Sequence, residues 1–127
     1  MSVKVRSRVK LNRQRKNEID KAAKLSLEQT AEATRTKLIS KQYMPFDNGT
    51  LQNENTFVDS SNINKGVVSL VSSTPYARRL YFHPEFDFQT VNNSNAQAYW
   101  FEPFISGEEK EFIMNTFKKL FKKNGGF

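Results

Sequence analysis

Cysteine is missing from this 127-residue chain, and histidine and tryptophan occur once each. Without thiols there is neither a disulfide framework nor a thiolate metal site, and nothing marks the chain for secretion. A lone His83 cannot build a histidine cluster, and the sequence has no HExxH, no glycine-rich phosphate loop and no GxSxG. Long apolar runs are missing too. None approaches the ~20 residues that span a bilayer, and no apolar stretch follows the basic N-terminus as a leader requires. The expectation is a single domain over residues 1–127, away from membranes, with a real but small core.

Carboxylates are present but dispersed. Asp47, Asp59, Glu85, Asp87 and Glu102 fall on turn-like segments without the D-x-D-x-D-G spacing of a calcium loop, so no metal site is expected. An acid–base pair can be sketched at His83-Pro84-Glu85, yet residues this close in sequence rarely converge as a site requires. A satisfied turn histidine is the preferred reading. No catalytic residue and no cofactor are expected.

The net charge of +7 is unevenly spread. Residues 1–41 hold twelve Lys/Arg against four Asp/Glu, a net of +8, while residues 42–127 hold eight against nine, a net of −1. That distribution describes a neutral domain with a basic arm or face. Residues 1–11 alternate strictly, with Val3, Val5, Val9 and Leu11 on one side and Lys4, Arg6, Arg8 and Lys10 on the other. Period two predicts a strand with one apolar and one cationic face. Such a face suits a solvated edge, DNA phosphates or an acidic protein surface.

From residue 12 to 42 the period becomes helical, with Ile19, Ala23, Leu27, Ala31, Thr34 and Leu38 recurring at three- and four-residue steps. This is a long core-packing helix with a narrow, alanine-rich stripe. Pro45 ends it, and Asp47-Asn48-Gly49 supplies turn chemistry. "TFVDSSNI" and "GVVSLVSS" then read as a hairpin joined through Asn64-Lys65-Gly66, the second strand apolar enough from Val67 to Ser72 to lie centrally. Pro75 opens a short helix to about Phe82 with Thr74 as its N-cap. A closing helix is expected over 106–123, with Glu108 and Glu109 in its first turn, an apolar side of Phe112, Ile113, Met114, Phe117, Leu120 and Phe121, and Gly125 as its stop.

Between these helices, residues 83–101 form a loop too long for an ordinary connection. The block from Thr74 to Phe104 holds the sole histidine and tryptophan, Arg78-Arg79 and a dense run of aromatics. At this density aromatics fill a core or meet a partner. Tyr, Trp, Phe and Arg are also the residues enriched at binding hot spots. Arg78, Arg79, Tyr81, Phe86, Phe88, Tyr99 and Trp100 are therefore the candidate interface set. Stacking on nucleic-acid bases is the rival use, but no RNP, KH, zinc-finger or helix-turn-helix pattern accompanies it, and Glu85, Asp87 and Glu102 place negative charge in the same region.

Three stretches carry a family resemblance: "PFDNGTLQN" (45–53), "STPYARRLYFHPEF" (73–86) and "NAQAYWFEPFISG" (95–107). Together they resemble the minor capsid proteins of tailed bacteriophages infecting Gram-positive bacteria. More distantly, Pro45, Asp47, Gly49 and Leu51, a strand, and then Pro75-Tyr76-Ala77 resemble the wider tail-completion family. The resemblance implies an α+β fold, with a long helix in the N-terminal half and a C-terminal helix packed on a small, mostly antiparallel sheet, plus a long ordered loop. It implies a non-enzymatic place in the virion neck, at the head–tail junction, assembled in the host cytoplasm. The chain would be one subunit of a homo-oligomeric ring, commonly a hexamer, between head-closure (stopper) and tail-terminator or tail-tube proteins. DNA would pass through that ring with only transient, non-specific contact. Because such lumens are often lined with negative charge, the basic strand is expected against an acidic neighbour. The alternative is a small basic nucleic-acid-binding protein using the N-terminal strand and the Arg/aromatic block.

Overall fold

Steps of three and four residues do produce a helix. In a computed structural model that describes residues 3, 13–45, 56–85, 88, 90 and 93–127, α1 (Arg13–Ser40) is followed by β1 (Thr56–Asp59), β2 (Ser69–Ser72), α2 (Pro75–Tyr81), α3 (Glu102–Ile105) and α4 (Lys110–Gly125). The architecture is α+β, helices packed on a two-stranded antiparallel sheet. The predicted basic strand with Lys4, Arg6, Arg8 and Lys10, the turn at Asp47-Asn48-Gly49, and Phe86 lie outside the described residues.

The buried row of α1 is Ala22, Ser26, Thr30, Thr34 and Leu38. Thr34 and Leu38 were expected there, but Ile19, Ala23, Leu27 and Ala31 are only half-buried. Small side chains at four-residue steps make a low ridge that lets a second helix approach closely. The Thr30 and Thr34 hydroxyls donate to the carbonyl oxygens of Ser26 and Thr30, at 2.6 and 2.8 Å. Burying them therefore leaves no donor unsatisfied.

Helix α4 lies against this ridge, antiparallel to α1. Asn124 Nδ2 donates to Ser26 Oγ at 3.0 Å and to Gln29 Oε1 at 2.8 Å, and Arg15 donates to the Gly125 carbonyl at 2.9 Å. At the other end of the pair Lys37 meets Glu109 at 2.7 Å. The closing helix is shorter than its predicted 106–123 start implies, because Ser106 ends α3 instead of opening α4. Its N–H donates to the Glu102 carbonyl at 3.0 Å and its hydroxyl to Glu102 Oε2 at 2.9 Å. Gly107 then makes a turn so tight that a Cβ there would stand 2.8 Å from Pro103 Cα. Glu108 and Glu109 consequently precede the helix, and Glu111 is the acid of its first turn. At the far end Gly125 is the last helical residue, and Gly126, at φ 71°, takes the left-handed cap that glycine favours. Of the expected apolar side, Met114 is exposed and Ile113 only partly covered.

The hairpin forms in antiparallel register, with Thr56 opposite Ser72 and Asp59 opposite Ser69. Both strands are trimmed at their inner ends. Asp59 Oδ1 accepts the Ser61 N–H at 2.9 Å, a local bond that turns the chain out of β1, and a 3-10 turn at Ile63–Lys65 follows. Among the described residues β2 pairs only with β1 and so lies at an edge instead of the expected central place, and Val67 is exposed. The Thr56 carbonyl accepts from Arg35 Nε at 2.7 Å and ties the hairpin to α1.

The core gathers at the C-terminal end of α1: Leu38, Tyr43, Met44, Ala77, Leu80, Trp100 and Phe104, with Leu70, Tyr81, Phe88, Phe101 and Phe112 packed around it. Residues 93–97, in the segment expected as the long loop, run past this end and cap it. Asn95 Nδ2 donates to the Lys41 carbonyl at 2.8 Å, Asn93 Nδ2 to the Met44 carbonyl at 2.7 Å, and Gln42 Oε1 accepts from both the N–H and the hydroxyl of Ser94. No helix among the described residues is long and apolar enough to cross a membrane.

Candidate functional site

The site begins with α2. Thr74 caps it by accepting the Ala77 N–H at 3.0 Å, and Pro75 sits in its first turn, where a missing N–H costs nothing. Ala77 and Leu80 point into the core, which leaves Arg78 and Arg79 on the exposed side. The chain then leaves the helix through Phe82 and His83. These two residues and the two arginines line an open notch of about 460 Å³.

A ladder of rings joins that notch to the core. Trp100, with no exposed surface, meets Tyr81 edge-on at 4.8 Å between centroids. Tyr81 in turn meets Phe82 at 5.0 Å and Tyr99 at 5.4 Å, and Phe82 meets Tyr99 at 6.1 Å. Phe82 is 56% and Tyr99 37% exposed. The residues on either side of Tyr99, Ala98 and Trp100, are buried. This turn works because Tyr99 adopts φ 50°, in the left-handed region that side chains rarely enter, held by its N–H donating to the Tyr81 carbonyl at 3.0 Å. Burial, with the charge of Glu102 as a lesser cause, pushes the Tyr81 phenol above its ordinary value.

His83 Nδ1 and Glu85 Oε1 are 2.6 Å apart, a hydrogen bond within the turn that gives the histidine the local partner expected of a turn residue. The bond spans a turn at Pro84-Glu85. That hydrogen bond holds the Glu85 carboxyl below its ordinary value. Both side chains are largely exposed, and the notch that His83 lines is open to solvent. Among the described residues no cluster of His, Asp or Glu is placed to hold a metal ion.

The sequence-predicted interface set thus divides. Arg78, Arg79 and Tyr99 reach the surface, and Tyr81 stands half-buried beneath them. Phe88 is partly buried against the core. Trp100 is wholly inside, its indole N–H 3.4 Å from Ser72 Oγ, so in this conformation it offers a neighbour nothing to touch. Phe82, part of the Arg/aromatic block but outside that interface set, joins the surface patch. Its signal was its place one residue after a short helix, where a side chain leaves the core-facing period.

A second cluster, at Glu109, lies outside the residues that the sequence singles out as a site. Glu109, buried, receives Lys37 at 2.7 Å, Lys41 at 3.8 Å and the Tyr43 hydroxyl at 3.4 Å, while Lys37 also lies 4.2 Å from the centroid of Phe112. The hydrogen bond from Lys37 keeps the Glu109 carboxyl below its ordinary value. Burial, aided by the Glu109 charge, raises the Tyr43 phenol. Every ligand of the carboxylate comes from the end of α1 or the turn after it, which makes the cluster a clasp between helices. No family model, curated protein or solved structure matches the chain.

Proposed function

We propose that the protein is a structural, non-enzymatic subunit of a tailed-phage virion neck, a ring component that joins head-closure and tail proteins around the DNA path. The observation that carries this reading is the exposed patch of Arg78, Arg79, Phe82 and Tyr99 supported on buried Trp100 through Tyr81. Exposed aromatics beside guanidinium groups, fixed on a rigid base, match the chemistry of binding hot spots and reduce the ordering cost of association. The three stretches of family resemblance supply the assembly in which such a patch would act.

The test is assembly. Arg79→Glu combined with Tyr99→Ala should leave a folded protein by circular dichroism yet yield heads and tails that fail to join in electron micrographs. Normal virions carrying both substitutions would overturn the reading. The net charge of +8 over residues 1–41 favours a second one, non-specific nucleic-acid binding. In that case neutralising Lys4, Arg6, Arg8 and Lys10 should abolish a salt-dependent affinity for DNA.

A further inference from the structure

We propose that the notch formed by Arg78, Arg79, Phe82 and His83 binds a short acidic segment of a partner protein, one that carries an aromatic or large aliphatic side chain between carboxylates. The proposal rests on the reading of this patch as a docking surface and names the chemistry of its occupant. Two guanidinium groups in the last turn of α2 present fork-shaped donors, which suit carboxylates. A cation at a helix C-terminus also complements the helix dipole, but the dipole gives no reason for a phenylalanine 56% exposed beside it. Phe82, held edge-on by Tyr81 and Tyr99, is a fixed apolar wall that an unbound protein gains nothing by exposing.

Charge and shape select a peptide over a nucleic acid. Glu85 lies next to the notch through its bond to His83. A continuous polyanion crossing this surface meets that carboxylate, whereas a segment with one or two acidic side chains can place them beside the arginines. The notch, about 460 Å³ and open to solvent, accommodates a few side chains of a peptide lying across it.

The probe is an end-capped tripeptide, Asp-Phe-Asp, titrated into the full chain at low salt and followed by calorimetry and amide chemical shifts. Saturable binding is expected below about 1 mM, with the largest shifts at residues 78–83. Arg78→Glu should weaken it about tenfold or more, and Phe82→Ala about three- to tenfold. Arg78→Lys should fall between the wild type and Arg78→Glu, because the charge stays and the fork is lost. Circular dichroism of each variant separates lost binding from lost fold. Absence of saturable binding, or binding that survives Arg78→Glu, would sink the proposal. So would an oligothymidine that binds more tightly than the peptide and loses affinity with the same substitution. Self-association abolished by Arg78→Glu would also reject it, by assigning the notch to a second copy of the chain. Peptide binding is read on the isolated protein and neck joining on particles, so either idea can fail without the other.

Discussion

The two ends of the α1–α4 pair are built from different materials. At the far end Ser26, Gln29, Asn124 and Arg15 make the contact, a seam of a hydroxyl, amides and one guanidinium. Aromatics are present there, with Phe117 stacked on Phe121 and Phe121 beside Phe127, but they lie on the flank and are half-buried or exposed. At the near end Leu38, Tyr43, Met44, Trp100 and Phe104 are all buried together. Apolar burial supplies most of a small domain's stability, whereas each hydrogen bond contributes little net but is satisfied in only one register. One helix therefore receives its stability at one end and its alignment at the other.

Removing the aromatic end should have the largest effect. Trp100→Ala should cost about 3–5 kcal/mol, a large share of the stability of a domain this size, and appear as a collapsed urea midpoint. The clasp comes next. Glu109→Gln leaves Lys37 partly buried without its anion, and about 1.5–3 kcal/mol should be lost. Because the folded carboxyl titrates below its ordinary 4.5, the clasp's contribution is complete above that value and disappears as pH falls through the folded one. Wild-type stability should thus drop on acidification below about pH 5 more steeply than that of Glu109→Gln, as acid-titrated thermal melts would register. Asn124→Ala at the polar end should cost only about 0.5–1.5 kcal/mol. If Asn124→Ala matched Trp100→Ala, the contrast between the two ends would be wrong.

Much of this arrangement is legible in the sequence. The helical period over 12–42, the hairpin and the Thr74-Pro75 start each depend on local chemistry that a short window contains. The buried row of α1 does not, because a hydropathy pattern favours Ala23 and Leu27 over Ser26 and Thr30. Only the bond from a threonine hydroxyl to the carbonyl four residues earlier makes the polar row the better one to bury. Glu109 looks like a first-turn helix acid until Lys37 and Tyr43 arrive from far away in the chain. The aromatic block offers core and partner readings alike, and the choice falls residue by residue: Trp100 inward, Tyr99 and Phe82 outward. No periodicity encodes that split, since it depends on one left-handed backbone position. Nor does the Asn-rich composition of the loop indicate that Asn93 and Asn95 close the end of α1, since their acceptors lie about fifty residues away.

The polar seam also bears on how the chain reaches its fold. Its bonds join residues 98 and 110 positions apart, Ser26 to Asn124 and Arg15 to Gly125. A helical protein ordinarily folds fast because its contacts are local. Here α1 must wait until nearly all of the described chain has been made before its partner exists, and its own hydroxyls, bonded back along the helix, keep it from presenting a bare greasy face meanwhile. The same residues that align the finished pair thus shield the unfinished one, and slow, topology-limited folding with little aggregation is the kinetic signature to expect.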